Sequence, residues 1–237
     1  MSKALINFLC VGLAISFSHA HAGGDGGSHV GNGGLGISCN GAGIRFLDSF
    51  VPVQHPLPWK NTSPTSLLRR PTQDMTLSQN ADGERIEKRQ AATQQVSTWL
   101  DRLAQSDPAV AQMMHEWLVR FWDESEIIWG PDAPITNDWG IEIPEGCHLV
   151  QIAVQKTPLS DQGARYKLYG QNLDLLSTLD LADLIHHELW LRFALEYNDR
   201  IKDTSTVRIL SRWVSSQDIL LTHPSETAWL IWGTKTH

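Results

Sequence analysis

The triplet His186-His187-Glu188, in the stretch IHHELWLRF, is where residue types and spacing come closest to chemistry. A zincin helix reads H-E-x-x-H, because histidines four apart share one helix face and chelate the metal while the glutamate activates water. Here position i+4 from His187 is Leu191, so the second histidine of that pattern is absent. Asp183 lies four residues before His187 and three before His186, so one face offers an Asp/His pair that needs a third ligand from elsewhere. A second pair, His115-Glu116, stands in HEWLVRF, similar enough to HELWLRF for facing helices to bring His115 towards His187. On this reading His187 and Glu188 are candidate catalytic residues. His115, Asp183, His186 and His187 are candidate metal ligands, and zinc is the candidate cofactor. The competing reading is structural. His187 shares its face with Leu184, Leu191 and Ala194, which suits a core histidine bonded to Asp183, and Glu188–Arg192 and Glu116–Arg120 have ordinary i,i+4 spacing. No G-x-S-x-G, Walker loop or catalytic-cysteine signature occurs.

The elements around these residues follow from periodicity. Helices are predicted over Asp82–Gln105, from Asp107-Pro108 onwards with aspartate as N-cap, over Thr178–Tyr197 behind a Ser177/Asp180 capping-box-like start, and over about Thr206–Ser216. Short strands are predicted at Ile37–Cys39 and Ile44–Phe50 around an Asn40-Gly41 turn, and at Glu126–Trp129. The longest is Cys147–Thr157, with Arg165–Gly170 as its hairpin partner. The order predicts a single α+β domain, a small antiparallel sheet packed with about four helices.

Residues 1–22 read as a cleavable export signal: Lys3, an apolar run from Ala4 to Phe17, then small residues in Ser18-His19-Ala20-His21-Ala22. The run is shorter than the roughly 20 residues of a membrane span, and no other segment is apolar enough for a stable one. Gly23–Gly36 reads as a glycine-rich flexible leader, and 37–237 as the domain. A periplasmic or secreted address follows. With Lys3 removed, 18 basic residues face 26 acidic ones, a net charge of −8, and Arg69-Arg70 is the one basic doublet, so nucleic acid is excluded as a partner. Two cysteines remain, Cys39 and Cys147. In an oxidising compartment they most simply pair; a reactive thiol and metal ligation are the alternatives. The ten tryptophans suit either core contacts or a carbohydrate or peptide cleft.

From Gly31 onwards the chain resembles an uncharacterised family of small exported proteins of Gram-negative bacteria, prominent in predatory ones. The matching pieces are Gly31–Gly34 with Cys39, then Pro144, Gly146, Cys147, Leu149, Gln151, Ile152 and Ala153. Leu179, Asp180, Leu184, Ile185, His187 and Glu188 follow, and last Asp203, Thr204, Ser205, Val207 and Arg208. The resemblance implies a recurrent cysteine pair and a His-Glu helix, and brings no activity with it. The family's tyrosine and arginine after His-Glu appear here only as Trp190 and Arg192.

Three functions compete. The first is a non-catalytic binding or envelope-interaction domain with an envelope or extracellular protein or polymer as partner. The second is a divalent-metal hydrolase of envelope polymers using the His-Glu helix. The third is an inhibitor of a foreign enzyme, with the leader or the proline-rich 51–71 stretch as a wedge.

Overall fold

A computed structural model describes residues 30–31, 34–40, 43–47, 81–130, 135, 143, 145–156, 163–197, 204–216 and 231. The export signal and the proline-rich stretch lie outside these. The fold is α+β, as expected. Strands β1 (Val30–Gly31), β2 (Leu35–Cys39) and β3 (Ile44–Phe46) come first, then helices α1 (Ala81–Leu103) and α2 (Pro108–Arg120). Strands β4 (Ser125–Ile128), β5 (Cys147–Gln151), β6 (Ala153–Lys156) and β7 (Tyr166–Tyr169) follow, and helices α3 (Gly170–Asp174), α4 (Thr178–Tyr197) and α5 (Thr204–Ser215) close the order.

The strands form two small sheets rather than one. β3-β2-β5 is wholly antiparallel, whereas β1-β6-β7-β4 carries one parallel pair, β4 with β7. The long predicted strand is the junction. Gly34 O accepts both the Ile152 and the Ala153 N–H at 3.0 Å, so two residues of one strand oppose a single carbonyl, the signature of a bulge. The Gln151 side-chain amide caps the corner on Gly34 O and Ala153 O. β5 therefore leaves one sheet and β6 enters the other, with the side-chain alternation reset between them.

Described residues of the glycine-rich stretch belong to strands. The predicted boundary at residue 37 falls inside β2, and Val30–Gly31 pairs with Gln155–Lys156 of the other sheet. The glycines serve close packing here. A Cβ on Gly34 would stand 2.0 Å from Leu184 Cδ1, so only glycine lets β2 enter directly over α4.

At the centre lies α4. Every residue from Asp180 to Ala194 is buried, so the helix is enclosed on all sides by α1, α5, α2 and β3. Its start is pinned by chemistry as well as packing. Ser177 Oγ donates to Asp180 Oδ2 at 2.5 Å and accepts the Asp180 N–H at 3.1 Å, while Asp180 Oδ1 accepts the Phe46 N–H at 3.2 Å and meets Arg45 Nε at 3.5 Å. An aspartate at this cap thereby holds β3 against α4. Helix α2 begins as predicted, with Asp107 Oδ1 accepting the Val110 N–H at 3.1 Å and proline in the first turn. Of the described tryptophans, Trp99, Trp117, Trp190 and Trp213 are core. No helix among the described residues is long and apolar enough to cross a membrane.

Candidate functional site

The His-Glu triplet sits at the middle of α4, and this position decides its chemistry. His186, His187 and Glu188 are 0–1 % exposed. The Trp190 indole N–H donates to His186 Nε2 at 3.0 Å. An indole only donates, so Nε2 carries a lone pair and the neutral ring bears its proton on Nδ1, which faces Ser211 Oγ at 3.1 Å. His186 is thereby spent tying one turn of α4 to α5, with the Trp99 ring at 5.3 Å from its own. The His187 ring packs edge-on against Phe46 of β3, centroids 5.6 Å apart. Glu188 Oε1 accepts the Gly34 N–H at 2.7 Å, across 154 residues of sequence. A backbone N–H buried over a helix needs an acceptor, and this carboxylate provides it. Asp183, one turn earlier, is buried with them.

His115 is placed differently. It lies on α2 at the surface, with Nε2 at 3.2 Å from Asp101 Oδ1 of α1 and its ring about one-third exposed. The fully buried α4 histidines and this half-exposed one serve different environments. Among the described residues no group of three or more His, Cys, Asp or Glu is arranged to hold a metal ion. The candidate ligands His115, Asp183, His186 and His187 belong to no such group. The helices that carry them pack together, but α4 turns its histidines into the core on several sides at once.

Arg192 takes its i,i+4 partner from Glu196 rather than from Glu188. Its guanidinium reaches Glu124 Oε2 at 2.8 Å and Glu196 Oε1 at 3.2 Å, and it stacks over Trp117 at 4.4 Å. Arg165 joins the same glutamates, 2.7 Å from Glu196 Oε1 and 3.7 Å from Glu124 Oε2. Beneath this four-membered network the Tyr166 phenol lies beside Arg192. Burial drives the phenol's pKa well above its usual value, and the Arg192 and Arg165 charges offset only part of that. None of Glu124, Arg165, Tyr166 or Glu196 stood out in the sequence, since they come from separate elements and no spacing joins them. Arg120 likewise turns away from the Glu116 carboxylate, towards the Glu116 carbonyl at 3.4 Å and Glu124 Oε1 at 3.5 Å.

The cysteines do meet. Cys39 and Cys147 are register partners in β2 and β5 and form a disulfide closing a separation of 108 residues. Beside it Leu35, Ile37 and Leu47 make a small apolar cluster separate from the main core.

Among the described residues a groove lies between α1 and α2, lined by His115 and, on its apolar side, by Leu118 and Trp122. Arg89 lies over the Trp122 ring at 4.8 Å, and the Trp122 N–H donates to Thr93 Oγ1 at 3.1 Å. Ile86 and Val119 stand on its rims, 54 % and 80 % exposed. Comparison with protein-family models, with curated proteins and with solved structures finds no match to this chain.

Proposed function

We propose that this chain is an exported, disulfide-closed, non-catalytic binding domain acting in the cell envelope or just outside it. The observation that carries the reading is the burial of His186, His187 and Glu188 at 0–1 % exposure, with Glu188 occupied by the Gly34 backbone. A hydrolytic site must admit a polymer and a water to its base. These groups instead brace a strand and a neighbouring helix. The Cys39–Cys147 disulfide supports an oxidising address, as do the leader-like residues 1–22 and the resemblance to small exported proteins of Gram-negative bacteria.

The test is metal analysis of the purified mature chain together with its thermal melting. The expected result is no stoichiometric zinc and a melting temperature unmoved by added zinc. Zinc at one equivalent per chain, lost together with a measurable hydrolytic activity in His187→Gln, would overturn the reading in favour of the metal hydrolase.

A further inference from the structure

We propose that the groove between α1 and α2 docks an amphipathic helix of a partner protein, one that sets a carboxylate among its apolar side chains. This deepens, and rests on, the binding-domain reading. Three observations carry it.

The groove sets four large apolar side chains, Ile86, Leu118, Val119 and Trp122, among polar ones such as Gln90 and Gln94. Ile86 and Val119 both line it at 54 % and 80 % exposure, with the buried Leu118 and the partly buried Trp122 between the helices. Exposed aliphatic side chains grouped on a concave strip mark an interaction site more than isolated ones do.

The groove also carries a cation, Arg89. Arg89 has no carboxylate within ion-pair distance among the described residues, and its guanidinium is parked on the Trp122 ring. Arg85, one helical turn earlier, differs: it is held by Asp174 at 2.6 Å and by Asp82 at 3.1 Å. A carboxylate arriving over Arg89 would form a charge-assisted pair on an aromatic floor.

The walls, finally, are two packed helices joined by the short Ala104–Asp107 turn. Their backbone groups are spent within the helices, so no strand edge is available for an extended peptide to extend. What remains is side chains in ridges, the complement of a third helix. A sugar polymer fits less well, because one face of Trp122 is covered by Arg89 and its N–H is committed to Thr93.

The experiment is selection of phage-displayed helical peptides on the full mature chain, followed by affinity measurements with the selected peptides. Expected are peptides with apolar residues spaced i, i+3, i+4, i+7 around a Glu or Asp, weakened about tenfold or more by Val119→Glu, which sets an unpaired carboxylate against the peptide's apolar face. Arg89→Glu should shift preference to the same peptides with Lys in place of the acid. Both side chains are on the surface, so unchanged melting temperatures certify the folds. No enrichment, peptides without an acidic position, or binding indifferent to both substitutions would overturn the groove. So would a dimer that Val119→Glu dissolves, since the occupant is then a second copy, or capture of peptidoglycan fragments that Val119→Glu abolishes. None of these outcomes revives the zinc site, so the groove can fail while the binding-domain reading stands.

Discussion

Glu188, a candidate catalytic residue by sequence, makes a structural contact. Its carboxylate replaces water for the Gly34 N–H, which β2 must bury to pass over α4. Glu188→Ala leaves that donor unsatisfied and opens a void, at a cost of about 2–4 kcal/mol. Glu188→Gln keeps an acceptor oxygen and should cost distinctly less. Denaturant titration of the two variants separates them, and equal losses would mean that the bond to Gly34 contributes little. Tyr166 sets a pH dependence. The unfolded phenol ionises near pH 10, whereas the folded one, buried beside Arg192 and Arg165 and near Glu188, holds its proton to higher pH. The contribution is thus whole below about pH 10 and is lost as pH rises through the folded value. In Tyr166→Phe the decline in stability above pH 10 should be shallower than in the parent, and parallel curves would remove the phenol as its cause. Neither role is written in the local sequence. The triplet His186-His187-Glu188 has the composition of a site, and only the complete enclosure of α4 turns it into core.

Elements were more legible than residues. The start of α4 and the Asp107-Pro108 start of α2 follow from capping chemistry, which is local and therefore readable. The break at Ile152 is not local. Its cause is Gly34, over 100 residues away, accepting two consecutive N–H groups, and an alternating apolar pattern runs through such a bulge without trace. Gly34 and Gly36, which in the sequence look like freedom, serve as clearance. A further device invisible from spacing is Lys88 of α1. Its ammonium donates to the carbonyls of Asp174 at 2.8 Å, Leu176 at 2.9 Å and Leu173 at 3.3 Å, closing the end of α3. Lys88→Met keeps the stem and removes all three donors. The expected loss is about 1.5–3 kcal/mol, with amide exchange accelerated at residues 173–176. Unchanged exchange there would show that α3 ends unaided.

At the scale of the molecule, two sheets share one bulged chain segment and a single buried helix, so local changes at that corner should be felt in both. The disulfide reinforces the smaller sheet. The chain-entropy model for a loop of this length gives about 4–5 kcal/mol. A Cys39→Ser/Cys147→Ser double variant should lose stability of that order in chemical denaturation. A loss below about 1 kcal/mol would mean that the Leu35, Ile37 and Leu47 cluster holds β2 and β5 together unassisted.

Cys39 and Cys147 also enclose α1, α2 and β4 within one covalent ring. A protease that cuts once anywhere inside this ring releases nothing. The two pieces stay tethered, run as one species until reductant is added, and keep the α1–α2 groove bound to the rest of the molecule. In surroundings rich in proteases, such a chain can be nicked and still be present as a whole.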